Sequence, residues 1–268
     1  MRRTSLCSLL LFGLVCGERI PTPLHAADVS PVVISELSYT LPQQIPIREL
    51  MKSALAGDAE AQFKVAVCYG CGYGVSQDYV KAALWYRRAA EQGHVDAQYN
   101  LAVSYERGVG VPKNYSEAIR WYRRAADKGY VAAQYNLAGY YYNGWGIPQN
   151  YAEAARLYRL VADMGWADAQ YNLGICYAYG KGVRRDYAEA FRWCHRAAEQ
   201  GNTQAQYRLS AYYKHGVGVA KDAAKAAYWY RQATAQRHAN ASLNPNTNGY
   251  GIPPDYDETA RRYYRATK

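Results

Sequence analysis

The sequence predicts an all-α fold, a solenoid of stacked helix–turn–helix units, and three observations carry that expectation. A six-residue loop opening with Gly-x-Gly recurs every 36 residues: GYGVSQ from Gly72, GVGVPK from Gly108, GWGIPQ from Gly144, GKGVRR from Gly180 and GVGVAK from Gly216. The pair Ala-Gln recurs at the same interval, starting at Ala61, Ala97, Ala133, Ala169 and Ala205. Between these markers, apolar and small residues fall at helical spacing. A phosphate cradle also begins Gly-x-Gly, but it needs one loop beside one strand and one helix. Repetition at constant spacing reads as architecture instead.

The elements follow in chain order. Arg2 and Arg3 precede the apolar run SLCSLLLFGLVCG (5–17), which is too short to span a bilayer. Residues 1–27 therefore read as an export signal, cleaved after Gly17 or near LHAA (24–27). Cys16 raises lipidation, but Val15 stands where a small residue is wanted. Residues 28–46, with Pro31, Pro42 and Pro46, read as an extended leader. IRELMKSALAG (47–57) matches only a second helix and reads as an N-terminal capping helix.

Residues 58–238 hold five repeats. In one of them, Ala97, Leu101, Ala102 and Tyr105 form the face of a first helix. The glycine pair ends it where φ > 0 is useful. Tyr115, Ala118, Trp121, Tyr122, Ala125 and Ala126 form the face of a second helix, which Gly129 stops. Helices of about thirteen residues are marginal alone, so stacking must bury their apolar faces. Ala223 replaces the tyrosine that opens the earlier second helices, and Arg237 stands where a terminal glycine is expected. A sixth loop, GYGIPP, starts three residues early at Gly249 after the turn-rich NPNTNG. Residues 239–268 thus read as a degenerate sixth repeat, a C-terminal cap.

The pattern AQxxLxxxYxxGxGVxxxxxxAxxWYxxAAxxG resembles the Sel1-like repeat, a relative of the tetratricopeptide repeat. The resemblance implies a right-handed superhelical α-solenoid that binds proteins or peptides, and no single reaction. In arrays of the tetratricopeptide type, first helices line the concave face. Transferred to this chain, that geometry points the residue two places after the repeat alanine into the groove: Phe63, Tyr99, Tyr135, Tyr171 and Tyr207. Packing between neighbouring helices is an equally open reading of this ladder, since tyrosine does both. At the loop end of the same helices lie Cys71, Arg107, Asn143, Tyr179 and His215, a row that varies between copies. Invariant positions within one chain serve stacking, and variable ones are available for recognition. The expected partner-binding residues are Phe63, Tyr99, Arg107, Tyr135, Asn143, Tyr171, Tyr179, Tyr207 and His215.

Composition and motifs bound the rest. The chain has 29 Tyr against 3 Phe and a formal net charge of +10, of which the signal carries two. The bias suits many half-wet aromatic positions, and the charge permits acidic partners without naming one. The basic run WYRRAA (85–90 and 121–126) could suggest nucleic acid, but its aromatics fit a core face and Arg87, Arg88, Arg123 and Arg124 a solvated one. CYGC (68–71) has no second C-x-x-C to complete a zinc site. Export permits disulfides, and Cys68–Cys71, Cys176–Cys194 or free buried thiols all remain open. The five histidines show no metal-ligand spacing, and neither HExxH nor SxxK occurs. The expectation is an exported, periplasmic or secreted, non-enzymatic scaffold without cofactor, metal or membrane span, binding a protein or peptide and no nucleic acid. The alternatives are a cell-envelope module binding peptidoglycan or acidic polysaccharide, and a cell-wall or β-lactam hydrolase.

Overall fold

Helices follow one another at the sequence period. The computed structural model describes residues 47–243, and side chains for residues 47–235. The expected signal, the leader and most of the C-terminal cap lie outside the described residues. Among the described residues every regular element is a helix: α1 (Ile47–Leu55), α2 (Ala59–Cys71), α3 (Tyr79–Glu91), α4 (Val95–Arg107), α5 (Tyr115–Asp127), α6 (Val131–Asn143), α7 (Tyr151–Asp163), α8 (Ala167–Tyr179), α9 (Tyr187–Glu199), α10 (Thr203–His215) and α11 (Ala223–Leu243). The even-numbered helices are the first helices of the repeats, and α3, α5, α7, α9 and α11 are the second.

Each boundary has a local cause. The first glycine of each of the five described loops closes a first helix in the left-handed region, at φ 73, 73, 72, 66 and 73° for Gly72, Gly108, Gly144, Gly180 and Gly216. Its N–H bonds the carbonyl four residues back, for example Gly108 N to Ser104 O at 2.9 Å. The second glycine is also left-handed and serves close approach. A Cβ at Gly110 would collide with the carbonyl of Tyr79, and one at Gly182 with that of Tyr151. The pair is a turn that seats each loop on the start of the preceding second helix. Second helices begin at an Asp or Asn cap: the side chains of Asp78, Asn114, Asn150 and Asp186 accept backbone N–H bonds.

The repeated glutamine also has a structural role. The Nε2 groups of Gln62, Gln98, Gln134, Gln170 and Gln206 donate to the carbonyls of Ala54, Ala90, Ala126, Ala162 and Ala198 at 3.1–3.2 Å. Each adds a second hydrogen bond to an end carbonyl of the preceding helix that already accepts from the glycine ending it, as Ala90 O does from Gly93 N at 3.0 Å, and so ties the two helices together. The alanine beside it lets the backbones approach: Ala97, Ala133, Ala169 and Ala205 are fully buried.

The chain divides into two compact units, one ending at Gln149 and one starting at Asn150. In the first, α1 to α6 pack each on the next, with Leu101, Trp121, Tyr122 and Tyr140 in the core. In the second, α7 to α11 do the same. There Leu173, Cys176, Cys194, Leu209, Tyr212 and Val217 are buried. The last second helix departs from expectation. α11 runs 21 residues, straight through the place where its siblings stop. Arg237 is the reason, because a left-handed turn at that position favours glycine.

Candidate functional site

The aromatic ladder lies inside the stack. Phe63, Tyr99, Tyr135, Tyr171 and Tyr207 are 2–8% exposed. The rings of Phe63, Tyr99 and Tyr207 turn toward the second helix of their own repeat, Phe63 to Tyr86 at 5.9 Å, Tyr99 to Tyr122 at 5.7 Å and Tyr207 to Tyr230 at 5.9 Å. Phe63 and Tyr99 also cover the cap of the next first helix, Phe63 stacking on His94 at 4.6 Å and Tyr99 meeting Tyr130 at 4.9 Å. This corrects the expectation that the ladder faces an open groove, and the packing alternative accounts for it. A hydrophobic ring gains more by burial between helices than by a wet position.

On three of the five first helices the next residue is accessible, whereas its counterparts Asn136 and Arg208 are buried. Lys64, Asn100 and Asn172 are half-buried, followed one turn on by the half-buried Val67, Val103 and Ile175. This stripe ends at the varied row at the loop end. There Arg107, Asn143, His215 and Cys71 are half-buried and Tyr179 is 45% exposed. Asn143 donates to the Gly139 carbonyl of its own helix at 2.9 Å, so its amide steadies the end of that helix. The nine expected residues thus divide. Five are packed, and Arg107, Asn143, Tyr179 and His215 reach solvent.

Two charged residues of this face escape a reading of the sequence. Glu106, half-buried on α4, accepts hydrogen bonds from the hydroxyls of Tyr122 and Tyr140, both at 2.7 Å. Burial, reinforced by the Glu106 charge, raises both phenols well above their ordinary pKa. Arg208, 6% exposed on α10, sets its guanidinium 5.9 Å from the Tyr171 ring centre and 5.7 Å from that of Tyr179. Both residues depart from what other repeats hold in the same place. Gly70, Tyr142, Ala178 and Lys214 correspond to Glu106, and Lys64, Asn100, Asn136 and Asn172 to Arg208. That departure was the available signal.

At the opposite end of the first helices, an acid ties each repeat to the cap of the next. His94 Nε2 donates to Glu60 at 2.8 Å while its Nδ1 accepts from Ala97 N, which fixes the tautomer. Asn202 Nδ2 donates to Asp168 at 2.6 Å in the same relation. Burial acts to raise the Glu60 carboxyl, but hydrogen bonds from His94 and Lys64 outweigh it and hold it below its ordinary value.

The outer face carries the arginines. Arg87, Arg88, Arg123 and Arg124 are exposed, and Trp85, Tyr86, Trp121 and Tyr122 beneath them are buried. Arg87, Arg123 and Arg159 donate to the hydroxyls of Tyr105, Tyr141 and Tyr177 on the next first helix. Arg88 stacks over Trp85 at 4.3 Å, and Arg120 and Arg124 over Trp121. The arginine–tyrosine bonds hold neighbouring repeats together, and the stacked arginines cover the tryptophan of their own helix while solvating the surface.

Of the open alternatives the structure has free thiols at Cys68, Cys176 and Cys194, all buried, so neither Cys68–Cys71 nor Cys176–Cys194 is bridged. Burial pushes the Cys176 and Cys194 thiols up to about 12. The Cys194 sulfur fills the space beside Gly174, where an added Cβ would sit 2.7 Å from it. Cysteine in place of the usual tyrosine is thus matched by glycine in place of the usual alanine. Among the described residues, no helix is long and apolar enough to cross a membrane, and no group of three or more His, Cys, Asp or Glu is placed to hold a metal ion.

The comparisons agree with this anatomy. The Sel1 repeat model matches residues 59–94, 95–130, 131–166, 167–202, 203–238 and 246–266. Among solved structures, the chain is 30% identical to a Sel1 repeat protein from Oxalobacter formigenes, covering 89% of this chain and 100% of that one at a TM-score of 0.69. It is 35% identical to c5321, a protective antigen present in uropathogenic Escherichia coli strains and displaying an SLR fold, again at a TM-score of 0.69. That match covers 83% of this chain and 48% of the antigen, so the chain spans about half the antigen's length. No curated protein matches the chain. Five matches that begin where the first helices α2, α4, α6, α8 and α10 begin, with a sixth over 246–266, place this chain in the Sel1 repeat family.

Proposed function

We propose that the chain is an exported, non-enzymatic repeat scaffold that holds a protein or peptide against the faces of its first helices. One observation carries the reading. On those helices the repeated aromatic ladder and glutamines are spent on packing, and the varied row at the loop end reaches solvent. The aromatic ladder and the glutamines are buried or bonded in place, while the loop-end row changes from Arg107 to Asn143 to Tyr179 to His215. Within each unit, a surface whose chemistry changes from one repeat to the next suits an extended partner with a sequence of its own. Export is supported by Arg2, Arg3 and the short apolar run that follows them.

Tyr179 is the expected anchor, being the large aromatic that this row exposes. Aromatic anchors dominate interface energetics, and rim charges mainly tune encounter. The test is capture of partners from a cell-envelope extract. Tyr179→Ala should weaken capture by about tenfold or more with helicity unchanged. A matched Arg120→Ala, Arg124→Ala protein should capture normally at physiological salt. Capture that survives loss of Tyr179 and fails without the arginines would move the working surface to the outer face, and an acidic polysaccharide would become the leading ligand.

A further inference from the structure

The loop between α8 and α9 is built unlike its siblings. Its fifth position is Arg184, where the other described loops hold Ser76, Pro112, Pro148 and Ala220. The sixth position is Gln77 or Gln149 in two of those loops. Each of these amides folds back to donate to a carbonyl of its own first helix, that of Gly70 or Tyr142. Here the sixth position is Arg185, which lies over the Tyr187 ring at 5.7 Å instead. With Lys181, this loop carries three cations, whereas each of the other described loops carries at most one.

Arg184 and Arg185 line an open hollow of about 690 Å³, together with Tyr177 of α8, Val183 of the loop, the cap Asp186 and Glu189 of α9. Both carboxylates of the hollow are engaged. Asp186 accepts from the backbone N–H groups of Ala188 and Glu189 at 2.9 and 3.0 Å, and Glu189 pairs with Arg192 at 2.5 Å. The Tyr177 hydroxyl accepts from Arg159. Both Arg184 and Arg185 are exposed, and among the described residues neither forms a hydrogen bond or an ion pair through its side chain. Arg159, Arg184, Arg185 and Arg192 thus outnumber the two acids, and two guanidinium forks are left without a protein acceptor. The loop that carries them is held in place. Lys181 Nζ donates to Tyr151 Oη at 3.1 Å, and Gly182 packs so closely on the Tyr151 carbonyl that a Cβ would collide with it.

We propose that this hollow binds a phosphate group, as the free ion or as a monoester. The choice of anion follows from the two forks. A phosphate monoester brings a charge of about −1.5 to −2 and three acceptor oxygens, enough to engage two guanidinium groups at once. A carboxylate brings a single charge and two oxygens, which one guanidinium satisfies in a bidentate pair. The hollow has room beyond the phosphate for the group that carries it, with Val183 and Tyr177 as lining. This site goes beyond the scaffold reading. It uses no residue of the varied row and needs no protein partner, so loss of either leaves the other intact.

The test is isothermal titration of the full chain with inorganic phosphate, glycerol phosphate, acetate and glycerol at one low ionic strength. Saturable binding of phosphate, free or esterified, is expected in the millimolar range or tighter. Acetate should bind about tenfold more weakly or worse, and glycerol should give no signal. Tighter binding of glycerol phosphate than of inorganic phosphate assigns the ester, and any other order assigns the free ion; either upholds the phosphate site. Arg184→Ala combined with Arg185→Gln gives this loop residues that its siblings hold, Ala220, Gln77 and Gln149. Circular dichroism and thermal unfolding should therefore be unchanged, while phosphate binding weakens by about tenfold or more. Absence of saturable phosphate binding overturns the proposal. So does undiminished binding to the double variant, and so does acetate binding as tightly as phosphate.

Discussion

At the scale of the residue, the glycine pair shows how one sequence feature can hold two physical requirements. Gly110 needs both a left-handed backbone, at φ 72°, and empty space where a Cβ would meet the Tyr79 carbonyl. Gly129, at φ 83°, needs only the backbone, since a Cβ placed there would meet nothing within 4 Å. Gly129→Ala should therefore cost about 1 kcal/mol, the strain of a left-handed alanine. Gly110→Ala should cost clearly more, because the loop must also lift from the preceding second helix. Urea unfolding of the two variants measures the difference, and equal losses would refute the close-approach reading. The repeat made these glycines legible in the sequence, since a phosphate loop does not recur every 36 residues. The ladder was only half legible. Phe63 and its tyrosine counterparts share a helix with Lys64 and Asn100 next door, and a rotation of one residue decides which of the two is buried.

At the scale of the element, helix identity, period and termini could be read from spacing and turn residues. What spacing could not give was the partner of each polar side chain. Gln98 bonds the Ala90 carbonyl, Glu106 collects two tyrosine hydroxyls, and His94 serves as cap and brace at once. Those contacts depend on how one helix lies against the next. The run of α11 beyond Arg237 belongs here too, for the missing glycine was visible but its consequence needed the structure.

The interfaces between helices are built largely from tyrosine, and this makes the stack sensitive to alkali. Burial raises Tyr86, Tyr99, Tyr122, Tyr130, Tyr140 and Tyr212 above the ordinary value of 10.0. Their neutral forms are favoured in the folded state, so the stability they contribute is fully present below pH 10 and is lost as pH rises beyond it. Each contributes a slope of about 1.4 kcal/mol per pH unit in that window, because the unfolded chain ionises first. The urea midpoint should fall steeply above pH 10, and phenolate absorbance from this group should appear together with the loss of helix. Smooth ionisation near pH 10 in a chain that stays helical would contradict the burial of these rings as interface elements.

At the scale of the whole molecule, each unit is a row of helices in which an interface is shared by two neighbours. Stability in such a row is held in common, so that a local loss should travel. Tyr122 is the position where this is plainest in the first unit. It is fully buried on α5, contacts Tyr99 of α4 at 5.7 Å and Tyr140 of α6 at 5.9 Å, and donates to Glu106 of α4. Removing its ring should cost roughly 3–5 kcal/mol, as buried aromatic truncations do. The variable row on the first helices depends on that frame, because Arg107 and Asn143 stand at the ends of α4 and α6. The most direct measurement is amide hydrogen exchange on Tyr122→Ala, resolved helix by helix. The predicted result is faster exchange in α4 and α6 as well as in α5. Acceleration confined to α5, with α4 and α6 protected as before, would contradict the account of a frame whose repeats hold one another in place.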